Sequence, residues 1–276
     1  MIKYIKDLTP FLDFISYVNA DPDCSEPMLF TEDQMEVNLK KSLNKPNNHV
    51  LGVWEGESFT GLFDFLIEEE ERYIEMIVGL TRSKKAWEEI FAWLEKGYPG
   101  FQADFVFNPH NARLRELLDQ KGAEYEPEQE KLVLGETPPA FDTTGIEPLS
   151  EKYLDQYLAM HGTGVYWTGD KVWEAKERFQ ALLAVDNGTA VGYIDVTTCF
   201  AENEVYDLWV KPEYRRRGWG RKLMARAIEL NRPRGLMLLQ DVGNFAANGL
   251  YRSVGFHVVE GANSVTATWM IPAENP

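Results

Sequence analysis

Cysteine is almost missing from this chain: Cys24 and Cys199 are the two in 276 residues. They lie far apart, form no C-x-x-C pair and fit no metal-ligand spacing, which excludes a disulfide framework and a structural zinc site. Neither sits in a nucleophile motif, so a thiol acyl-enzyme is not expected. Long apolar runs are also lacking, none approaching the roughly 18–20 residues of a membrane span. The N-terminus has no charged start, apolar core and small-residue cleavage site of a secretory signal. A cytoplasmic protein with no membrane partner is the expectation. Positive charge is scarce as well: 28 Lys and Arg face 44 Asp and Glu, a formal net charge of -16. That balance argues against nucleic acid as a partner, because gripping a phosphate backbone needs a basic face.

What is present is enough apolar material, 44% of residues, for sizeable cores. The stretch Gly135–Gly145 holds two prolines and no apolar period and reads as a linker. It divides the chain into expected domains at 1–137 and 144–276. The acid is unevenly shared: residues 1–140 carry 14 Lys and Arg against 27 Asp and Glu, net -13, leaving 14 against 17, net -3.

The two halves look like copies. Glu55-Gly56 and Asn187-Gly188 each mark a hairpin between apolar runs. Gly56 to Val78 and Gly188 to Val210 both span 22 positions, and Asn111 to Gly122 and Asn244 to Gly255 both span 11. An offset of 132–133 residues therefore relates the halves. The elements between these landmarks match in kind: strand Tyr73–Leu80, helix Lys84–Lys96, strand Phe101–Phe107, helix Asn111–Lys121. A tandem repeat of one α/β fold follows.

The chemistry is concentrated in the second copy. In Leu208-Trp-Val-Lys-Pro-Glu-Tyr-Arg-Arg-Arg-Gly-Trp-Gly220 a strand ends at Pro212, which lacks an N–H, and a helix with apolar residues at Leu223, Met224, Ala227 and Ile228 begins after Gly220. The first amides of a helix have no intrahelical partner and sit at its positive end, so Gly218 and Gly220 open onto an anion cradle, with Arg215, Arg216 and Arg217 adding charge.

The order Arg215-x-x-Gly218-x-Gly220 after a Leu-x-Val-x-Pro strand end resembles the coenzyme A pyrophosphate loop of the GNAT family of N-acetyltransferases. Asn244-x-x-Ala247-x-x-x-Tyr251-x-x-x-Gly255-Phe256 resembles the family's following helix and strand. The resemblance implies two tandem GNAT-like α/β domains, each a mixed, mostly antiparallel sheet flanked by helices. The first is degenerate: Thr81–Trp87 replaces the glycine loop, Leu118 stands at the position of Tyr251 and Ala123 at that of Phe256.

It further implies acetyl-CoA as co-substrate, no metal, and transfer to a primary amine of a small molecule or peptide by direct attack. Two alternatives stay open for this chain: a non-catalytic acyl-CoA-binding or regulatory protein of the same fold, and an acetyltransferase for a thiol-linked amino sugar, as in tandem-repeat relatives. The backbone of Leu208 and Val210 would hold pantetheine and polarise the thioester. The amides from Arg216 through Trp219 to Gly220 would hold the pyrophosphate, and Asn244 would bond pantetheine or cap its helix. Tyr251 would give its proton to the departing thiolate. The amine must lose a proton to Glu204 or Asp207; simple strand alternation puts Glu204 with Leu208 and Val210, and a β-bulge would invert that parity. The loop His161–Asp170, with Tyr166, Trp167 and Asp170, is the expected acceptor region, although Trp167 and Asp170 suit packing and helix capping equally well. Monomer and homodimer are both compatible with the sequence.

Overall fold

A computed structural model describes residues 1–29, 32–135, 142–162 and 167–273. Contact divides the chain into two units, Met1–Glu130 with Glu260–Pro276, and Lys131–Val259.

Among the described residues the chain runs β1 (Ile2–Tyr4), α1 (Leu12–Asn19), α2 (Glu32–Met35), β2 (Asn48–Glu55), β3 (Ser58–Glu68), β4 (Tyr73–Thr81), α3 (Lys84–Gly97), β5 (Gln102–Phe107), α4 (Ala112–Gln120), β6 (Glu124–Tyr125) and β7 (Gln129–Leu134). It continues through β8 (Ile146–Pro148), α5 (Leu154–Met160), α6 (Gly169–Glu174), β9 (Phe179–Asp186), β10 (Thr189–Thr197), β11 (Glu202–Val210), α7 (Trp219–Asn231), β12 (Gly235–Asp241), α8 (Phe245–Ser253), β13 (Phe256–Val258) and β14 (Val265–Met270). The sheets have seven strands each, in the orders β1-β2-β3-β4-β5-β14-β6 and β13-β7-β12-β11-β10-β9-β8.

Read from the opposite end, the second order repeats the first, with one exchange. The strand at the sixth position comes from the other half of the sequence in each case: β14 completes the first sheet and β7 the second. β14 pairs with β5 from Val265↔Phe107 to Met270↔Gln102, and β7 pairs with β13 from Leu134↔Phe256 to Leu132↔Val258. The units therefore differ from the spans 1–137 and 144–276, because contact groups Glu260–Pro276 with the first unit and residues from Lys131 onward with the second.

Each sheet is covered by helices whose apolar stripes follow the 3.6-residue period. In α3 the buried residues are Ala86, Trp87, Ile90, Phe91 and Leu94, and Ser83 starts the helix by accepting the Ala86 N–H at 3.1 Å. In α7 they are Leu223, Met224, Ala225, Ala227 and Ile228, all but Ala225 in one cluster with Leu182, Ile194, Val196 and Val205. The opposite face of the second sheet carries Leu183, Tyr193 and Trp209 against Tyr153 and Tyr157.

The repeat register differs from the 132-residue offset. Gly61 faces Thr81 as Gly192 faces Val210, so the counterpart of Val210 is Thr81, not Val78. Two causes add up: β3 has eleven residues against nine in β10, and Gly56 is the first turn residue whereas Gly188 is the second. Both copies keep a β-bulge at one place. Asp64 faces Val78 while Phe65 faces Met76, and Asp195 faces Asp207 while Val196 faces Val205. Ile77 and Tyr206 are the extra residues.

Candidate active site

The parallel ladder between β11 and β12 runs from Glu202↔Gly235 to Glu204↔Met237, and both strands continue beyond it. Past that point lies a cavity of about 760 Å³, lined by Leu208, Trp209 and Val210 on one side and by Asn244, Leu250 and Tyr251 of the α8 region on another. Arg215, Arg216, Gly218, Trp219 and Gly220 close its far end.

That end has the features of an anion site. Gly218 is the residue before α7, with φ of +89° and no side chain capping the helix, so the first-turn amides have no side-chain acceptor there. A Cβ at Gly218 would meet nothing within 4 Å, so its φ, not crowding, calls for glycine. Gly220 has a different reason: a Cβ there would lie 3.2 Å from Leu250, and its absence lets α7 and α8 approach. Arg216 holds a left-handed φ of +62°, a conformation that costs a side chain of its type free energy and fixes the loop's path. Arg215 Nε donates to the Val210 carbonyl at 2.9 Å, bracing the loop on the strand end. Arg217 instead lies with its guanidinium 5.1 Å from the Tyr214 ring centre and is not among the cavity-lining residues. Asn244 caps α8, its side chain accepting the Ala247 N–H at 3.2 Å. These residues fit the phosphates and pantetheine of coenzyme A.

The bulge at Tyr206 decides the parity of the two carboxylates. Simple alternation separates Glu204 from Asp207, but the extra residue returns both to one face, opposite Val205, Leu208 and Val210. Burial pushes the Glu204 carboxyl up to about 7, against a lowering influence of Lys131. The Glu204 amide donates to Thr197 Oγ1 at 2.7 Å. Asp207 accepts from the Tyr193 hydroxyl at 2.5 Å. Tyr251 is pushed up to about 12, mainly by burial and further by the charge of Asp207, which places that carboxylate within electrostatic reach of the phenol.

Of the expected acceptor residues, Tyr166 lies outside the described residues. Trp167 packs on Phe179 with ring centres 4.8 Å apart, and Arg178 lies 4.8 Å from its ring. Asp170 is exposed in the first turn of α6, a helix that starts at Gly169 after Thr168.

The sequence reading passed over a buried group beside Asp207. His161 ends α5, and its Nε2 lies 2.9 Å from Asp195 Oδ2 and 3.9 Å from Asp207 Oδ2. Asp195 is fully buried and also accepts from the Tyr157 hydroxyl at 2.9 Å. The signal was there, since an isolated aspartate inside the apolar run Val191-Gly-Tyr-Ile-Asp-Val196 needs a partner. Phe245, 85% exposed at the cavity rim, and Tyr214 in its wall carried no such signal.

A family model described as Acetyltransferase (GNAT) family matches residues 146–256. That segment carries a GNAT-family acetyltransferase domain. The match covers the second GNAT domain and its cavity, and the first GNAT-like domain shares the fold. Over 80 residues the chain is 39% identical to the N-alpha-acetyltransferase RimI of Mycobacterium tuberculosis, a match covering 28% of this chain. It spans about half, 51%, of the length of that relative. Two solved structures have the same fold over the whole chain. A GCN5-related N-acetyltransferase from Sphaerobacter thermophilus superposes with a TM-score of 0.68 at 14% identity, covering 100% of this chain and 97% of that one. A tandem GNAT protein from the clavulanic acid biosynthesis pathway gives 0.63 at 12% identity, with 100% of both chains covered.

The first GNAT-like unit lacks this cavity's makings. Arg82 and Ser83 alone join β4 to α3, where Lys211–Gly218 joins β11 to α7. Gly79 holds the register position of Leu208, two residues before Thr81 as Leu208 is before Val210. Its amide donates to Glu26 Oε2 at 2.8 Å, and Glu26 is almost completely buried. A Cβ on Gly79 would lie 2.7 Å from both Met76 and Trp87. A side chain of the unit itself thus covers the strand amide that faces the opening in the second unit.

Proposed function

We propose that the second unit transfers an acetyl group from acetyl-CoA to a primary amine of a small molecule or peptide, by direct attack with both reactants bound. The observation that carries this reading is the continuous cavity from the Leu208–Val210 backbone and Tyr251 to the uncapped N-terminus of α7. Acetyl-CoA supplies an activated acyl thioester; the chain supplies position, charge and proton transfer.

In this reading the first-turn amides of α7, with Arg215 and Arg216, hold the pyrophosphate, and the Leu208 amide donates to the acyl oxygen as charge develops on it. Asp207 takes a proton from the incoming ammonium: an N–H bond breaks, an O–H bond forms, and the nitrogen keeps the electron pair for attack. As the C–N bond forms and the C–S bond breaks, Tyr251 gives its proton to the leaving sulfur, and the second N–H proton, which the nitrogen must lose to become an amide, restores the phenol. Its elevated pKa suits an acid that stays protonated at neutral pH. Asp207 is preferred to Glu204 because it lies in the strand segment beside the cavity and its charge reaches Tyr251, whereas Glu204 sits where Lys131 reaches it.

Calorimetry with acetyl-CoA, followed by turnover with a peptide bearing a free α-amino group and with a polyamine, tests the reading. One site per chain and acetylated product are expected. Binding without turnover of either amine supports instead a non-catalytic acyl-CoA-binding role, and absence of binding by folded protein removes both.

A further inference from the structure

His161 is the imidazole of a buried polar group that spans three elements. Its ring stacks on Tyr193 of β10 with centres 4.9 Å apart and meets Tyr157 of α5 edge-on at 5.2 Å. Asp195 of β10 and Asp207 of β11 both face Nε2, while Nδ1 lies 3.5 Å from the Gly162 carbonyl. At the start of α6 the backbone packs close to His161, since a Cβ at Gly169 would lie 3.1 Å from His161 Cβ. Both ring nitrogens thus face oxygen acceptors, an arrangement that an imidazolium satisfies and a neutral ring does not. Asp195 Oδ1 has no hydrogen-bond partner among the described residues, so a buried carboxylate depends on its other oxygen, Oδ2, and hence on His161 and Tyr157.

The corresponding aspartate of the first unit, Asp64, faces the same bulge but is served by Asn48, whose Nδ2 lies 3.2 Å from each of its oxygens. Neutral groups, the Ser42 hydroxyl and the Asn48 amide, bond the aspartate there, with the Lys45 charge acting on it as well. In the second unit the partner is ionisable and is shared with a carboxylate that is 34% exposed and directly precedes the cavity-lining Leu208.

We propose that His161 is a positioning residue for Asp207: as an imidazolium anchored on Asp195 it holds Asp207, together with Tyr193, in the geometry that receives the amine proton, so that activity follows the charge on His161. This rests on the acetyl-transfer reading and names a residue that acts through Asp207. Burial works against charging the ring, but the Asp195 hydrogen bond and the charges of Asp195 and Asp207 outweigh it and raise its pKa above the ordinary value. The charged clamp is therefore fully present below the ordinary histidine value and is lost as pH rises through the raised one.

Two measurements on the full chain test this together. The imidazole C–H resonance of His161, assigned by its loss in His161→Gln among the four histidines of the chain, is followed against pH in wild type and in Asp207→Asn. In parallel, kcat/KM is measured against pH with acetyl-CoA and a peptide bearing a free α-amino group. We expect His161 to titrate above the ordinary histidine value in wild type and lower in Asp207→Asn. The kcat/KM profile should bend at the pH where His161 titrates. In His161→Gln that bend should vanish and kcat/KM should fall by up to roughly 10²-fold, the cost of a misplaced reacting group, with acetyl-CoA affinity within twofold. A wild-type titration unmoved in Asp207→Asn, or a bend retained in His161→Gln, overturns the clamp while leaving acetyl transfer intact. Absence of turnover in wild type overturns the acetyl-transfer reading and the positioning role with it.

Discussion

The two units fold the same strand order around the same bulge, yet the opening beside the fourth strand is filled in one and open in the other. In the first, β4 passes through two residues into α3, Ser83 caps that helix and Glu26 covers the Gly79 amide. In the second, eight residues intervene before α7, no side chain caps it, and a cavity of about 760 Å³ reaches from the strand to the helix. The difference shows how little of a fold its chemistry requires. An uncapped helix start, a left-handed glycine and a lengthened loop form a cradle; a serine cap and a buried glutamate close the same place. The capped form favours the unit's own stability, because each amide and carboxylate finds a partner within the protein.

The sharpest way to break this comparison is a pair of charge insertions. Gly218→Glu places an acidic side chain at a φ it rarely adopts and at the mouth of the cradle, and should weaken acetyl-CoA binding by at least about 10³-fold. Lys85→Glu, on the exposed start of α3, should leave calorimetric affinity and a stoichiometry of one unchanged. Loss of binding in both would mean that the first unit takes part.

Next in size is Trp269→Ala. Trp269 of the exchanged strand β14 is nearly fully buried, with its ring 5.4 Å from that of Phe91. Its removal should destabilise the first unit by about 3–5 kcal/mol in denaturant unfolding while acetyl-CoA affinity stays within twofold. Tyr251→Phe should lower kcat about 10²-fold or more with binding preserved; an unchanged kcat would remove the tyrosine from proton transfer.

The smallest effect concerns the covered amide itself. Burial, opposed by the Gly79 and Met28 amides, pushes the Glu26 carboxyl up to about 8. The folded chain therefore holds a proton that the unfolded chain releases from about pH 4.5 upward, and Glu26 removes stability as pH rises between those values. The slope is at most about 1.4 kcal/mol per pH unit. Glu26→Gln should flatten this part of the stability profile of the first unit, and a profile equally steep in the variant would show that other groups set it.

Much of this was legible in the sequence. The helices α3 and α7, the strands around them and the glycine loop follow from apolar period, Pro212 and the spacing of Gly218 and Gly220, all of which act over a few residues. The repeat was legible in kind and wrong in register by three positions at Val78, since a strand two residues longer leaves the hydrophobic alternation unchanged. The strand exchange was not legible: the alternating pattern of β7 and β14 specifies a buried face and says nothing about which sheet provides it. Nor was the shared face of Glu204 and Asp207, because an extra residue at Tyr206 inverts parity without changing composition.

The sequence by itself determined which segments become helix or strand, that two similar halves exist, and that one of them has a glycine turn flanked by arginines at a helix start. Those properties depend on local period, turn chemistry and charge. Only tertiary structure decided which strand completes each sheet, that Glu26 covers Gly79, and that His161 meets Asp195 from 34 positions away in sequence, close to Asp207. The reason is that these depend on desolvation: a buried amide, carboxylate or imidazole must find a partner, and which partner is near is fixed by packing.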